Sequence, residues 1–161
     1  VHTGLNTMTG GRIKRIQPYV GDETFMMTYG DAVCDVDITK ILEFHRSHGK
    51  IATLTAVMLD QQKGVLNIDG MNAVKSFREK NQSDGAPINA GFMVLEPAIF
   101  DYIKDDRTIF EREPLERLAA DGELMSYMHR GFWQCMDTTR EKEILDGLLA
   151  SGNAPWKKWE D

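Results

Sequence analysis

Three carboxylates fall within the ten-residue stretch TYGDAVCDVD, as Asp31, Asp35 and Asp37. They follow a short, apolar, β-prone run at residues 24–29 (TFMMTY), which places them just past the carboxyl end of a buried strand. In open α/β sheets ligands bind at that end, and a carboxylate there can hold Mg2+ against a phosphate. The same acids equally suit turns and helix caps, and Asp37 is best placed as a cap for the pattern that follows it. A second group is Glu79-Lys80, at the end of a strand pattern and ahead of a polar loop. A lysine in that place meets a phosphate as a point charge while the neighbouring carboxylate accepts from hydroxyls; an exposed Glu-Lys pair is also ordinary solvated surface. The third group is GFWQCMDTTR, in which Asp137 follows the aromatic pair Phe132-Trp133 and precedes a helix. Asp137 is either a second ligand for a cation at Asp31 or a helix-entry residue beside Thr138. His45 and His48 form only an i, i+3 pair in a helical pattern and read as solvated helix positions.

The elements that must position these residues follow from hydrophobic periodicity. After the strand at 24–29, Asp37 caps a helix carrying Ile38, Ile41, Leu42 and Phe44, with His48-Gly49 as its stop. Residues 50–59 (KIATLTAVML) form the next strand, so strand, helix and strand suggest a right-handed parallel crossover. Residues 65–68 and 73–77 read as a hairpin turning at Asp69-Gly70, and 88–95 (INAGFMVL) as a second buried strand. Pro97 opens a helix through Ile103, and a further helix covers 114–120. A strand at 124–128 and a last helix at 138–150 complete the order, with Thr138 as cap and Gly152 after the stop. The tail APWKKWED reads as a docked extension through Trp156 and Trp159. This mixture predicts one α/β domain over residues 1–161, three-layered, with a mixed, mostly parallel sheet.

Composition narrows the function. The 161 residues are 42% hydrophobic and 27% charged, which suits one domain with a real core. A net charge of −6 repels a polyanion, so nucleic acid is not an expected partner. Cys34 and Cys135 lack zinc or disulfide spacing and read as reduced thiols. No apolar run reaches the roughly 20 residues of a membrane span, and the opening residues lack a signal-peptide pattern. The expectation is a soluble, cytoplasmic protein without a membrane partner.

Taken in order, the segments resemble the second part of the glucose-1-phosphate cytidylyltransferases, enzymes that open the route to CDP-linked sugars of bacterial surface polysaccharide. The stretches that carry the resemblance are MTGGRIKR (8–15), TYGDAVCDVD (28–37), HGKIATLTA (48–56), SFREK (76–80), INAGFMVLEP (88–97), EPLERLA (113–119), GEL (122–124), GFWQCMDT (131–138) and APWKKW (154–159). The resemblance implies that Asp31 and Asp137 hold a catalytic Mg2+ and that Lys80 contacts the phosphate of glucose 1-phosphate. It implies further that Glu79 and Asn89 hydrogen-bond the glucose hydroxyls, and that Gly64 lets the sugar approach the backbone. The implied reaction is attack of a sugar-phosphate oxygen on the α-phosphorus of CTP, with pyrophosphate leaving in line.

This chain departs from the family pattern at Ala32, Lys63 and Asn81, three loop positions on the sugar side. The family's Gly-Gly-x-Gly-Thr-Arg loop and its Pro-Lys-Pro segment, which hold the nucleotide, have no counterpart here. The expectation is therefore a carboxy-terminal part lacking the nucleotide-binding amino-terminal segment, with a fold of the nucleotidyltransferase type incomplete at that end. Such a chain is expected to be inactive alone and to self-associate into a homo-oligomer. Two other readings stand beside it: a sugar-1-phosphate nucleotidyltransferase using UTP, dTTP or GTP, and a non-catalytic binding or oligomerisation module derived from the same fold.

Overall fold

The computed structural model describes residues 1–58, 65–68, 74–78 and 86–159. The chain opens with helix α1 (Thr9–Val20), then strands β1 (Phe25–Thr28) and β2 (Ala32–Cys34), helix α2 (Ile38–His48) and strand β3 (Ala52–Met58). Strands β4 (Val65–Ile68) and β5 (Val74–Arg78) pair with each other, and β6 (Pro87–Leu95) follows. A 3-10 helix (Pro97–Tyr102), α3 (Glu113–Ala120), β7 (Leu124–His129), β8 (Trp133–Cys135) and α4 (Thr139–Ala150) complete the order.

The principal sheet runs β1-β6-β3-β7, and this corrects the expected mostly parallel arrangement. Both β1 and β3 pair antiparallel with β6, and only the β3–β7 pairing is parallel. Strands β1 and β3 do point the same way, as a strand-helix-strand crossover requires, but they are not neighbours. The connection after β3 returns the chain to the end where β3 finished, with Pro87 opposite Met58. From there β6 can only run back antiparallel, and it takes the place between β1 and β3.

Helix α1 has no counterpart among the expected elements, because Gly10 and Gly11 each cost about 1 kcal/mol against alanine in a helix. Close packing explains them. A Cβ on Gly10 would lie 2.8 Å from the Thr108 carbonyl oxygen, and one on Gly11 2.6 Å from the Asp106 Cα. Helix α1 also delivers Ile13 to the core, and Lys14 Nζ donates to the carbonyls of Phe100 at 2.9 Å and Ile103 at 2.6 Å. The amino-terminal helix is thus packed into the core, and the described residues show no sign there of the incompleteness expected.

The core gathers Ile13, Ala52, Met93, Leu95, Ile99, Phe100, Ile103, Phe110 and Leu118, with Phe25 stacked on Phe100 at 5.6 Å between ring centres. Burying one such large side chain contributes roughly 1.5–3 kcal/mol. Helix α2 is capped as the sequence indicates: Asp37 Oδ1 accepts from the Lys40 N–H, and Gly49 takes the left-handed conformation at φ +64°. No helix among the described residues is long and apolar enough to cross a membrane.

The two histidines of α2 are not solvated. His45 is 1% exposed and bonds through Nδ1 to Thr53 Oγ1 and through Nε2 to Glu96 Oε1, while His48 Nε2 reaches the same Thr53 hydroxyl. Because His48 Nδ1 accepts from the Lys50 N–H, its Nε2 must be the donor. Protons then run one way, from Lys50 through His48, Thr53 and His45 to Glu96. A protonated His48 has no acceptor left for Lys50, so the chain of bonds needs it neutral. Burial lowers the His48 pKa, helped by the adjacent His45 and Lys50.

With its folded pKa depressed, His48 takes up a proton more readily when the protein is unfolded. Its contribution to stability is therefore present above the ordinary histidine value of about 6.5 and lost as the pH falls below it. The thermal midpoint should fall between about pH 7.5 and pH 5.5, and His48→Gln should flatten that part of the profile. An unaltered slope in the variant counts against this proton assignment.

Candidate functional site at the β2–β8 ribbon

Strands β2 and β8 form a separate two-stranded antiparallel ribbon, pairing Ala32 with Cys135 and Cys34 with Trp133. Beyond the Ala32–Cys135 pair, the Met136 N–H donates to the Asp31 carbonyl at 2.7 Å. This bond brings Asp31 and Asp137, far apart in sequence, to the same end of the ribbon. Neither three-residue strand is evident from periodicity, which needs a longer run.

The three acids of TYGDAVCDVD have three different environments. Asp37 is the α2 cap. Asp35 is a brace: its Oδ1 accepts from His129 Nε2 and from the Phe132 N–H, both at 2.8 Å. Only Asp31 lies at the open end of the ribbon, and it is exposed.

Asp137 is exposed as well, and the capping of α4 falls to its neighbours. Thr138 Oγ1 accepts from the Glu141 N–H, while the Glu141 carboxylate accepts from the N–H groups of Asp137 at 2.9 Å and Thr138 at 2.8 Å. The hydrogen bonds from Thr138 hold the Glu141 pKa down despite some desolvation. Asp137 therefore contributes its backbone, not its carboxylate, to the capping box. Burial and the bond to Glu141 push the Cys135 thiol up to about 11, so it stays protonated at neutral pH.

Asn89 lies in β6, two residues before a kink at Gly91 (φ +82°), and its Oδ1 accepts from the Gly91 N–H at 2.9 Å. The same turn is bonded to the residue after β1, the Tyr29 N–H reaching the Gly91 carbonyl at 3.1 Å, and to the ribbon, Trp133 Nε1 reaching the Ala90 carbonyl at 2.8 Å. Asn89 and Asp31 thus belong to one neighbourhood joined through Tyr29 and Gly30. Of the expected aromatic wall, Trp133 turns to Ala90 and Phe132 stacks on Trp156 at 5.5 Å, which docks the tail; Trp159 is exposed. Gly64, Glu79 and Lys80 lie outside the described residues, as do Lys63 and Asn81.

Sequence reasoning missed Tyr29 and Glu111. Tyr29 OH donates to Glu111 Oε1 at 2.5 Å, and Thr9 OH to Glu111 Oε2 at 2.7 Å. Tyr29 stands inside TYGD, so its position was visible there, but its partner 82 residues away was not.

Two clusters among the described residues set three ligand-type atoms within 4.8 Å of one another: Cys34, Asp35 and His129, and Cys135, Asp137 and Glu141. In the first, Asp35 Oδ1 and His129 Nε2 already satisfy each other. In the second the thiol is a soft, protonated donor, ill suited to Mg2+, and both carboxylates are hard oxygen donors of the kind Mg2+ takes. Of these the Asp137 carboxylate is exposed at the strand end and not used by the cap, so its oxygens are chemically suited to that ion.

The signature of the family described as "Nucleotidyl transferase" matches residues 9–161, and the chain belongs to that family. The expectation of a carboxy-terminal part lacking the nucleotide-binding segment is corrected by this match, which places nearly the whole chain within the nucleotide-transferring domain. Among curated proteins, the chain is 53% identical over 161 residues to glucose-1-phosphate cytidylyltransferase of Salmonella typhi, covering 99% of this chain and 62% of that protein. It is 32% identical over 152 residues to mannose-1-phosphate guanylyltransferase catalytic subunit beta of Dictyostelium discoideum, covering 91% and 42%. The chain thus spans about three-fifths of the cytidylyltransferase it matches. Among solved structures, HddC from Yersinia pseudotuberculosis superposes with a TM-score of 0.65 at 23% identity over 88% of this chain and 62% of that one. Apo UDP-glucose pyrophosphorylase superposes at 0.69 with 14% identity over 94% and 63%. These two likenesses establish the fold.

The brace at Asp35 generates a test. A Cβ on Gly131 would come within 2.4 Å of Asp35 Oδ1 and 2.7 Å of the His129 ring, whereas Gly147 in α4 has nothing within 4 Å. Gly131→Ala should cost about 1–3 kcal/mol by overpacking. Gly147→Ala should gain about 0.5–1 kcal/mol from helix propensity. Denaturant unfolding of both variants checks the pair of signs.

Proposed function

We propose that the protein carrying this chain transfers a cytidylyl group from CTP to glucose 1-phosphate, giving CDP-glucose and pyrophosphate. The observation that carries this reading is the 53% identity to a glucose-1-phosphate cytidylyltransferase along 99% of the chain. The shared ribbon end of Asp31 and Asp137 is consistent with it. In the reaction an oxygen of the sugar phosphate forms a bond to the α-phosphorus of CTP. The bond from that phosphorus to the bridging oxygen of the β-phosphate breaks, and pyrophosphate carries away the electron pair. Asp31 and Asp137 are the proposed cation ligands, and a bound Mg2+ supplies charge neutralisation at the reacting phosphates. Asn89 offers its side-chain amide to sugar hydroxyls. Lys80, Glu79 and Gly64 take their phosphate, hydroxyl and close-approach roles from the family resemblance alone. Self-association and a place in the cytoplasm belong to the same reading.

The chemistry requires no protein nucleophile, and the two carboxylates carry the reaction only by placing charge. Asp31→Asn and Asp137→Asn should each lower turnover by about a hundredfold or more, since a cation at the reacting phosphates contributes several kcal/mol to the transition state. Lys80→Ala should raise the KM for glucose 1-phosphate more than that for CTP. Pyrophosphate release measured with CTP and then with GTP also separates this reading from a guanylyltransferase, to which the similarity with the Dictyostelium protein points. Turnover with GTP in preference to CTP, or full activity in both asparagine variants, refutes the assignment.

A further inference from the structure

Strand β6 carries a bulge where it passes the ribbon. Its register against β3 moves from Ala56 opposite Asn89 to Leu54 opposite Met93, so residues 90–92 stand against Thr55 alone. One residue cannot pair the backbone of three, and buried N–H and C=O groups need partners. Three bonds from elsewhere serve them. Asn89 Oδ1 accepts from the Gly91 N–H, the Gly91 carbonyl accepts from the Tyr29 N–H, and the Ala90 carbonyl accepts from Trp133 Nε1 at 2.8 Å. The first is local, and the second comes from the chain leaving β1, which already lies beside β6. Of the three, only the indole bond reaches β6 from the ribbon.

The indole bond ties two parts of the site together. Trp133 stands opposite Cys34 at one end of the ribbon, and the Ala32–Cys135 pair stands at the other, beside Asp31 and Asp137. The two ends are two residues apart, about 7 Å of extended strand. Ala90, which takes the indole bond, is 1% exposed and directly follows Asn89 in the chain. A short path therefore runs from the two carboxylates along the ribbon, through the indole, to the backbone that carries Asn89. The indole N–H can only donate. An aromatic ring lacking it would fill much the same space but could not hold the carbonyl.

We propose that the Trp133 indole N–H is a strut that sets the spacing between Asn89 and the two carboxylates Asp31 and Asp137, which makes Trp133 a positioning residue for the sugar phosphate. The inference rests on the reading of Asn89 as a contact to sugar hydroxyls and of Asp31 and Asp137 as cation ligands. A hydrogen bond to a hydroxyl weakens steeply once its donor moves out of line, so a bulge free to shift costs binding at the sugar. The cation side does not depend on the indole. Asp31 and Asp137 are joined by the pairing of β2 with β8 and by the Met136 N–H bond to the Asp31 carbonyl, and both remain when the indole N–H is removed.

The test is the kinetics of pyrophosphate release from CTP and glucose 1-phosphate with Mg2+, in the protein carrying this chain, with thermal unfolding measured alongside. Two variants remove the donor. One is Trp133→Phe, and the other replaces the indole at position 133 by benzothiophene, which puts sulfur in place of the N–H and keeps the ring size. Each should raise the KM for glucose 1-phosphate about five- to tenfold, the equivalent of one hydrogen bond, and leave the KM for CTP and the half-saturating Mg2+ within about twofold of the parent. In an Asn89→Ala background the same changes should move the KM for glucose 1-phosphate by less than about twofold, since a residue that acts through Asn89 has nothing left to position. The benzothiophene variant preserves the packing, so it carries the test should Trp133→Phe fold poorly. A parent-like KM for glucose 1-phosphate in that variant overturns the proposal. An undiminished effect in the Asn89→Ala background also overturns it, as does equal weakening of both substrates and the cation with a lowered melting midpoint. If Asn89→Ala alone leaves the KM for glucose 1-phosphate at the parent value, Asn89 is no sugar contact and the positioning role falls with it. A parent that releases no pyrophosphate from this pair of substrates refutes the proposed function itself, and the strut with it.

Discussion

The carboxylate of Asp35 is the joint on which the site depends. It accepts from His129 Nε2 at the end of β7 and from the Phe132 N–H just before β8, so one side chain turns the chain from the parallel edge of the sheet into the ribbon. The two donors fix the orientation of this carboxylate, and the approach is so close that a Cβ at position 131 would lie 2.4 Å from its Oδ1. Without that turn β8 would not meet β2, and Asp31 and Asp137 would not share an end of the ribbon. The acid in the middle of TYGDAVCDVD thus helps to build the ribbon end where the first acid lies.

Strand β6 supplies the second constraint. It is the one strand bonded to both β1 and β3, and it leaves regular geometry at Gly91, where Tyr29 packs on it. At its far end it runs into Glu96, which anchors the buried histidine network of α2. The same strand therefore connects the most polar part of the interior with the residues that face the site. Burial of His45 and Thr53 is tolerated because every bond in that network has a directed partner.

Much of the architecture was legible. The strands at 25–28, 52–58, 65–68, 74–78, 87–95 and 124–129 and the helices starting at Asp37 and Thr138 all stand where hydrophobic pattern and caps place them. Strand direction was not, because a strand-helix-strand order fixes that β1 and β3 point alike and says nothing of what enters between them. Helix α1 was hidden by Gly10 and Gly11, whose reason is the backbone at Asp106 and Thr108, nearly a hundred residues away. The ribbon strands were too short to show a period. At the site, TYGD and GFWQCMDT drew attention to Asp31 and Asp137 through residue type and family resemblance. Their neighbours Tyr29, Glu111 and Thr9 form a network that exists only in three dimensions. His45 and His48 misled for the opposite reason, since an amphipathic pattern does not tell a solvated histidine from one whose partners lie on the next strand.

The proposed function rests on one physical claim, that Asp31 and Asp137 serve a single divalent cation at the reacting phosphates. The most direct measurement is a crystal structure of the protein carrying this chain, grown with CDP-glucose and Mn2+ in place of Mg2+, with the cation located by its anomalous signal. The account predicts one metal peak about 2.1–2.2 Å from a carboxylate oxygen of each aspartate and in contact with the diphosphate, with the glucose beside Asn89. A metal bound at Cys34, Asp35 and His129, or one held by neither Asp31 nor Asp137, would contradict it.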